Sequence, residues 1–373
     1  MSKGILLCSV FFLVFFVPAF VISTPIGVWA MSESTTEITL VGHYDTADFA
    51  GTLYVDGDYA YVADSGNGLV IVDVSDPSSP QKIGHYDLLH LGFPAWVHDV
   101  FLDGGYAYMA VHNWGLAIID VSDPTSPQEI GNLTVFVESA RGVAVDSDYA
   151  YVADDPYSGF YEKKGLVIVD VSDPTSPQKI GQYNTTGQAR DVAVDSGYAY
   201  VADRYNGLVI VDVSDPTSPQ KIGQYNTTGQ ALDVVVDGDY AYVADGGNGL
   251  VIVDVSDPTS PQKIGNKTTA TGTLGVRVVS GYAYLADSIN GLVIVDVSDP
   301  SSPQEIGHYD TVGEANSMAV RGSYVYVADG ANGLVILEIH EYDITPFPLL
   351  IAPVLLSLSL MAIIVILRKR SPV

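Results

Sequence analysis

The chain is 373 residues long, with 44 acidic residues against 16 basic ones and a formal net charge of −28. Such a surface repels nucleic acid and anionic lipid and excludes nucleic acid as a partner; it suits a basic partner, a cation or plain solubility. Glycine (36) and tyrosine (24) are abundant, as in turn-rich all-β chains, and Cys8 is the sole cysteine, so no disulfide braces the fold.

Residues 1–30 read as a secretory signal. Lys3 precedes an apolar stretch from Ile5 to Ser23, small residues follow, and Val28-Trp29-Ala30 is an acceptable cleavage site. The stretch is also long enough for an uncleaved anchor. Residues 31–36 read as a linker.

From residue 37 to residue 340 the chain repeats itself. Tyr-Val-Ala-Asp ends at Asp64, Asp154, Asp203, Asp245 and Asp329, with variants ending at Val111 and Asp287; the later copies recur every 42 residues. Gly-Leu-Val-Ile-Val-Asp or a near variant follows each time, as at Gly68–Asp73, and Ser-Asp-Pro follows that in six copies. One copy predicts four short strands. Around residue 200 these are Val192–Asp195 (A), Tyr198–Ala202 (B), Leu208–Val213 (C) and Gln220–Tyr225 (D). Ser196-Gly197 turns A into B. Asn206-Gly207 turns B into C, since both residues tolerate positive φ. Strand C is apolar on both faces and β-branched, so it belongs inside a stack. About 42 residues and four strands per unit predict a propeller blade, and seven copies predict seven blades. The seventh copy lacks strand D. An orphan strand at Glu37–Tyr44 matches the strand D sequences Ile83-Gly84-His85-Tyr86 and Ile306-Gly307-His308-Tyr309, so it completes the last blade and closes the ring.

Residues 341–348 read as a second linker before Leu349–Leu367, 19 residues without a charge. As a helix this segment spans about 28 Å, close to the thickness of a bilayer core. Arg368-Lys369-Arg370, in the basic tail 368–373, holds that end in the cytoplasm and leaves the propeller outside the cell. Lys3 and this tail set apart, 12 basic residues face 44 acidic ones. Pro346-Phe347-Pro348 ahead of the apolar run resembles an archaeal tripartite sorting tail. On that alternative the helix is cut off and replaced by a lipid.

The phrase Leu-Val-Ile-Val-Asp at 69–73, 166–170, 208–212, 250–254 and 292–296 resembles the LVIVD-repeat family of propellers. The resemblance spans about 37–340 and implies a secreted or surface propeller of prokaryotes. It implies no activity and no catalytic residue.

Asp64, Asp154, Asp203, Asp245, Asp287 and Asp329 end strand B in six copies. A ring of carboxylates is a candidate calcium site, since calcium takes oxygen ligands; the simpler role is to accept N–H bonds from the B–C turn. No nucleophile, phosphate-loop or zinc motif is present. His43, His85 and His308 share one strand D position and read as part of the repeat. The departures from the repeat lie in blades two and three: a longer D–A connection at Leu88–Trp96, Val111-His112-Asn113-Trp114 in place of Asp and Asn-Gly, and a long B–C loop at Asp155–Lys164. Both loop types emerge on one face. One position at the start of strand A holds Gly51, His98, Arg141, Arg190, Leu232, Leu274 and Asn316. A recognition patch over blades two to four follows: His98, His112, Trp114, Arg141, Tyr157, Tyr161 and Arg190. Asn132, Asn184, Asn226 and Asn266 begin glycosylation sequons. The expected function is a non-enzymatic binding or adhesion module, tethered to the cell membrane and facing a protein, glycan or surface-layer partner. The alternative is a surface hydrolase or lyase using His98, Arg141 and Asp154.

Overall fold

The computed structural model describes residues 34–88, 95–134, 139–155 and 165–343. The expected signal peptide, the transmembrane helix and its basic tail lie outside them, as do Tyr157 and Tyr161. Among the described residues, no helix is long and apolar enough to cross a membrane.

These residues form seven four-stranded antiparallel sheets. In blade four, strand A is Asp191–Asp195, B is Tyr198–Ala202, C is Leu208–Asp212 and D is Gln220–Tyr225. The expected boundaries hold to within one residue. The A strands contact one another in blade order and the last contacts the first, so they line a closed central channel. The first strand of the chain, Ser34–Tyr44, pairs with the last, Leu334–Asp343, and supplies the outer strand of blade seven. It is three residues longer than its sequence match to strand D indicates.

Strand C explains the stack. In blade one, Leu69 and Ile71 pack towards blade two, against Val97, Val100 and Met109. Val70 and Val72 pack the other way, against Tyr326, Leu334 and Ile336 of blade seven. All four side chains are fully buried. Each is worth about 1.5–3 kcal/mol relative to exposure, and only a sheet with neighbours on both faces gains all of it.

The turns are fixed by aspartate. The last residue of the Leu-Val-Ile-Val-Asp strand and the Asp of Ser-Asp-Pro each accept from the backbone two residues on; Asp73 takes Ser75 N at 2.9 Å and Asp76 takes Ser78 N at 3.0 Å. Hydrogen bonding from the Ser75 and Ser78 side chains, and then from these backbone N–H groups, holds both carboxyls below the usual carboxylate range. The B–C turn differs from expectation. Positive φ falls on Gly207, at 76°, while Asn206 is not left-handed. Asn206 serves through its side chain, which donates to Asp203 at 2.8 Å.

One blade is locked to the next at a glycine. Strand D bulges there, as where Ile71 pairs with Gly84 and Val72 with Lys82. A Cβ on Gly84, Gly131, Gly181, Gly223, Gly265 or Gly42 would overlap the carbonyl oxygen of Pro124, Pro174, Pro216, Pro258, Pro300 or Pro77 in the following blade. Gly307 is the exception, because blade seven has no Ser-Asp-Pro turn; its nearest neighbours are side-chain atoms of Ile38 and Thr36, at 3.2 and 3.4 Å. Gly223→Ala should therefore cost about 1–3 kcal/mol, as overpacking does, and Gly307→Ala clearly less. Urea denaturation of the two variants checks this; equal losses would contradict the lock.

Candidate functional site

The loops that enter strand A and those that leave strand B share one face. Short bridges join them between blades: Ser65 to Val97, His112 to Ser139, Arg204 to Ala231. On this face the channel opens as a cavity of about 260 Å³, lined by Thr52, His98, Asp99, Arg141, Arg190, Asp191, Leu232, Asp233, Leu274, Arg277, Asn316 and Ser317. Beneath it lies a second cavity of about 270 Å³, bounded largely by apolar strand A residues such as Tyr54, Phe101 and Val235. Asp99, Asp191 and Arg277 border both and form the floor between them.

The mouth is basic and imidazole-rich. Arg141 Nη1 lies 2.8 Å from His98 Nε2. Burial pushes the His98 imidazole down to about 3, and the charges of Arg141, His112 and Arg190 add to the effect. His98 is thus neutral and accepts from the guanidinium. Burial and then Arg141 also lower His112, whose Nδ1 is 2.9 Å from Ser139 Oγ. The His112 ring stands between Trp96, with centroids 5.3 Å apart, and His98, at 5.5 Å. Arg190 pairs with the buried Asp155 at 3.3 Å.

The floor holds three carboxylates and one guanidinium. Each carboxylate also stitches two blades together. Asp99 accepts from Val143 N at 2.9 Å, Asp191 from Val234 N at 3.1 Å and Asp233 from Val276 N at 2.7 Å. Gly142 leaves the room for this, since a Cβ there would meet Asp191 Oδ1 at 2.5 Å. Arg277 Nη1 donates to Asp233 at 3.2 Å. Burial raises Asp99 to about 6. It raises Asp191 well above the carboxylate range, helped by the charge of Asp233 and a hydrogen bond with it. Burial works against the Arg277 guanidinium, but Asp233, Asp191 and Asp99 outweigh it and raise its pKa. The charge of Asp99 also adds to the rise of Asp191, so these two carboxyls do not lose their protons independently.

The sequence-derived patch is thus brought together in part. His98, Arg141 and Arg190 line the main cavity, and His112 joins His98, Arg141 and Trp96 around an adjoining hollow. Trp114 is elsewhere: it packs on the apolar cluster between blades one and two. Trp96, 42% exposed, is the tryptophan that lines that hollow. The sequence reading missed the floor. Its signal lay one residue beyond the column containing His98, where the copies read Thr52, Asp99, Gly142, Asp191, Asp233, Gly275 and Ser317. Arg277 lies two positions further, where the other copies have Tyr or Phe, Ala or Val.

The strand B aspartates are buried and serve their own loops. Asp64 accepts from Thr46 Oγ1 and Asn67 Nδ2, both at 2.7 Å. Asp154 accepts from Ser139 N at 2.9 Å. Asp203 and Asp245 each take a D–A glycine N–H and a turn asparagine, through Gly187 with Asn206 and Gly229 with Asn248. Asp287 takes Gly272 N and Asn290; Asp329 takes Thr311 Oγ1, Gly313 N and Asn332. They bond the D–A connection as well as the B–C turn. Among the described residues, no three His, Cys, Asp or Glu side chains gather where they could hold a metal. His43, His85 and His308 lie within 2.6–2.8 Å of the carbonyls of Asn332, Asn67 and Asn290, as repeat members do. Asn132, Asn184, Asn226 and Asn266 are all exposed, at or beside strand D.

The floor sets a pH dependence. An unfolded aspartate titrates near 3.9. The stability tied to protonated Asp99 is complete below about pH 4 and is lost as pH rises through about 6, and raised Asp191 acts in the same direction. His98 acts in the opposite sense: the contribution of its neutral ring is complete above about pH 6.5 and is lost as pH falls towards about 3. Asp191→Asn isolates the carboxyl part, because an amide still accepts from Val234 N and donates to Asp233. The variant should melt above the wild type at pH 7, with the gap closing towards pH 4; a gap that does not change with pH would contradict the upward shift of Asp191.

The LVIVD repeat matches the chain seven times, over residues 49–88, 96–135, 138–185, 186–227, 228–269, 273–311 and 312–340. No curated protein matches it. Among solved structures, the chain is similar to the WD40 domain of Neurospora crassa Pan2, at 12% identity and a TM-score of 0.63, covering 82% of this chain and 96% of that one. It is also similar to the computationally designed protein Ika8, at 6% identity and a TM-score of 0.57, covering 80% of this chain and 98% of that one. At such identities the likeness is one of fold alone. With repeats matched over most of its length, the chain belongs to the LVIVD repeat family.

Proposed function

We propose that this propeller is a non-enzymatic binding module, displayed outside the cell and tethered to its membrane, which recognises a partner through the D–A and B–C loop face. One observation carries the reading. Trp96, His98, His112, Arg141 and Arg190, drawn from blades two to four, meet at one channel mouth, while the rest of the ring keeps the repeat. Trp and Arg are the side chains that most often dominate interfaces. A closed ring is a rigid base for loops, and a scaffold of this kind is generally used for interaction. The tether rests on the sequence: the uncharged run Leu349–Leu367 followed by Arg368-Lys369-Arg370, with the sorted, lipid-anchored form as the alternative. The four exposed sequons fit an extracellular placement, and the partner is a protein, a glycan or the surface layer. Of the three residues named for a hydrolase or lyase, His98 and Arg141 line the cavity, whereas Asp154 does not and is turned to Ser139 N.

Capture from native cell envelopes by the full chain, with and without calcium, tests this reading. Trp96→Ala combined with His112→Ala should cut capture at least ten-fold and leave the melting temperature within a few degrees, since Trp96 is exposed and outside the blade cores. Undiminished capture by a folded double variant would count against this face.

A further inference from the structure

We propose that the channel-mouth cavity binds an acidic monosaccharide, a uronic-acid-type group carrying one carboxylate and several hydroxyls. This rests on the reading of the loop face as the recognition face and names the ligand class of that same site.

Charge is the first observation. The chain carries −28, yet three of the five arginines between residues 34 and 343, namely Arg141, Arg190 and Arg277, line this one cavity. Arg141 donates to the neutral His98 imidazole, which fixes its guanidinium at the cavity wall. Arg190 is held in place by Asp155 at the cavity wall. Guanidinium groups fixed in this way suit a planar carboxylate.

The polar wall is the second. Apart from Leu232 and Leu274 the lining is hydroxyl, amide, carboxylate, imidazole and guanidinium. Thr52 Oγ1 on this wall is buried and makes no hydrogen bond. Asp99, Asp191, Asn316 and Ser317 offer further acceptors and donors for ligand hydroxyls. The third observation is Trp96, whose ring is exposed beside His112 in the adjoining hollow that His98 and Arg141 share with the cavity. It offers an apolar platform for the C–H face of a sugar.

Size and floor charge narrow the class. About 260 Å³ is below the roughly 300–1,000 Å³ of sites for drug-sized ligands, and suits one sugar residue. The carboxylates of the floor repel the second negative charge of a phosphate dianion more than the single charge of a carboxylate. A monoanion held at the mouth, with its hydroxyls turned to the floor, meets both ends of the cavity.

Titration calorimetry of the full chain with sodium D-glucuronate, D-glucose and inorganic phosphate, at matched ionic strength, tests this. Glucuronate should bind at least ten-fold more tightly than either of the others. Arg141→Gln should weaken glucuronate at least ten-fold. Glucose or phosphate binding as well as glucuronate, no glucuronate binding, or unchanged affinity in Arg141→Gln would each overturn the proposal. If Arg141→Gln fails to fold, the ranking of the three ligands on the wild-type chain decides alone. Loss of glucuronate binding alongside envelope capture that still depends on Trp96 and His112 would reject the ligand class and leave the recognition face standing.

Discussion

No blade of this protein can stand alone, because its third strand is apolar on both faces. Leu69 and Ile71 need blade two, and Val70 and Val72 need blade seven. An open row of such sheets would leave two apolar faces in water. A ring leaves none, and the ring closes only because the strand Ser34–Tyr44, at one end of the repeat array, pairs with Leu334–Asp343 at the other. The glycines of strand D then set how closely the blades approach. Six of seven place the strand against a proline carbonyl of the next blade, too close for any Cβ.

Closure also builds the site. It brings the first residues of seven A strands to one channel, so that residues scattered along the chain become neighbours. The same three aspartates that stitch adjacent A strands through Val143, Val234 and Val276 form the negative floor around Arg277. Above them, blades two to four supply the basic mouth. The repeat provides a nearly uniform scaffold, and a few substitutions at the inner rim, together with altered loops, give it polarity: cationic at the opening, anionic beneath.

The fold was legible because it is written in short-range patterns repeated seven times. Two-sided apolar strands, turn pairs and a displaced strand D motif are all visible in a linear string. The site was legible only in part. His98, Arg141 and Arg190 stood out as a polar column in an otherwise bland position. Asp99, Asp191 and Asp233 stood one residue further on, and read as ordinary strand starts unless that strand is known to be innermost. Trp96 and Trp114 were not separable by composition; the face each side chain takes depends on register and on the neighbouring blade. Asn67 and Asn206 look like left-handed turn residues, but their amides hold an aspartate, a contact made in three dimensions. The glycine lock is likewise tertiary, since nothing local demands a missing Cβ in strand D.

Closure by the first strand is the claim on which the site and its chemistry rest. Backbone hydrogen exchange along Ser34–Tyr44 tests it most directly. In a closed ring the paired amides of this strand should exchange as slowly as those of strand D in an interior blade, Gln220–Tyr225, and open only with the whole fold. Fast exchange across Ile38–Tyr44 with slow exchange in Gln220–Tyr225 would contradict it.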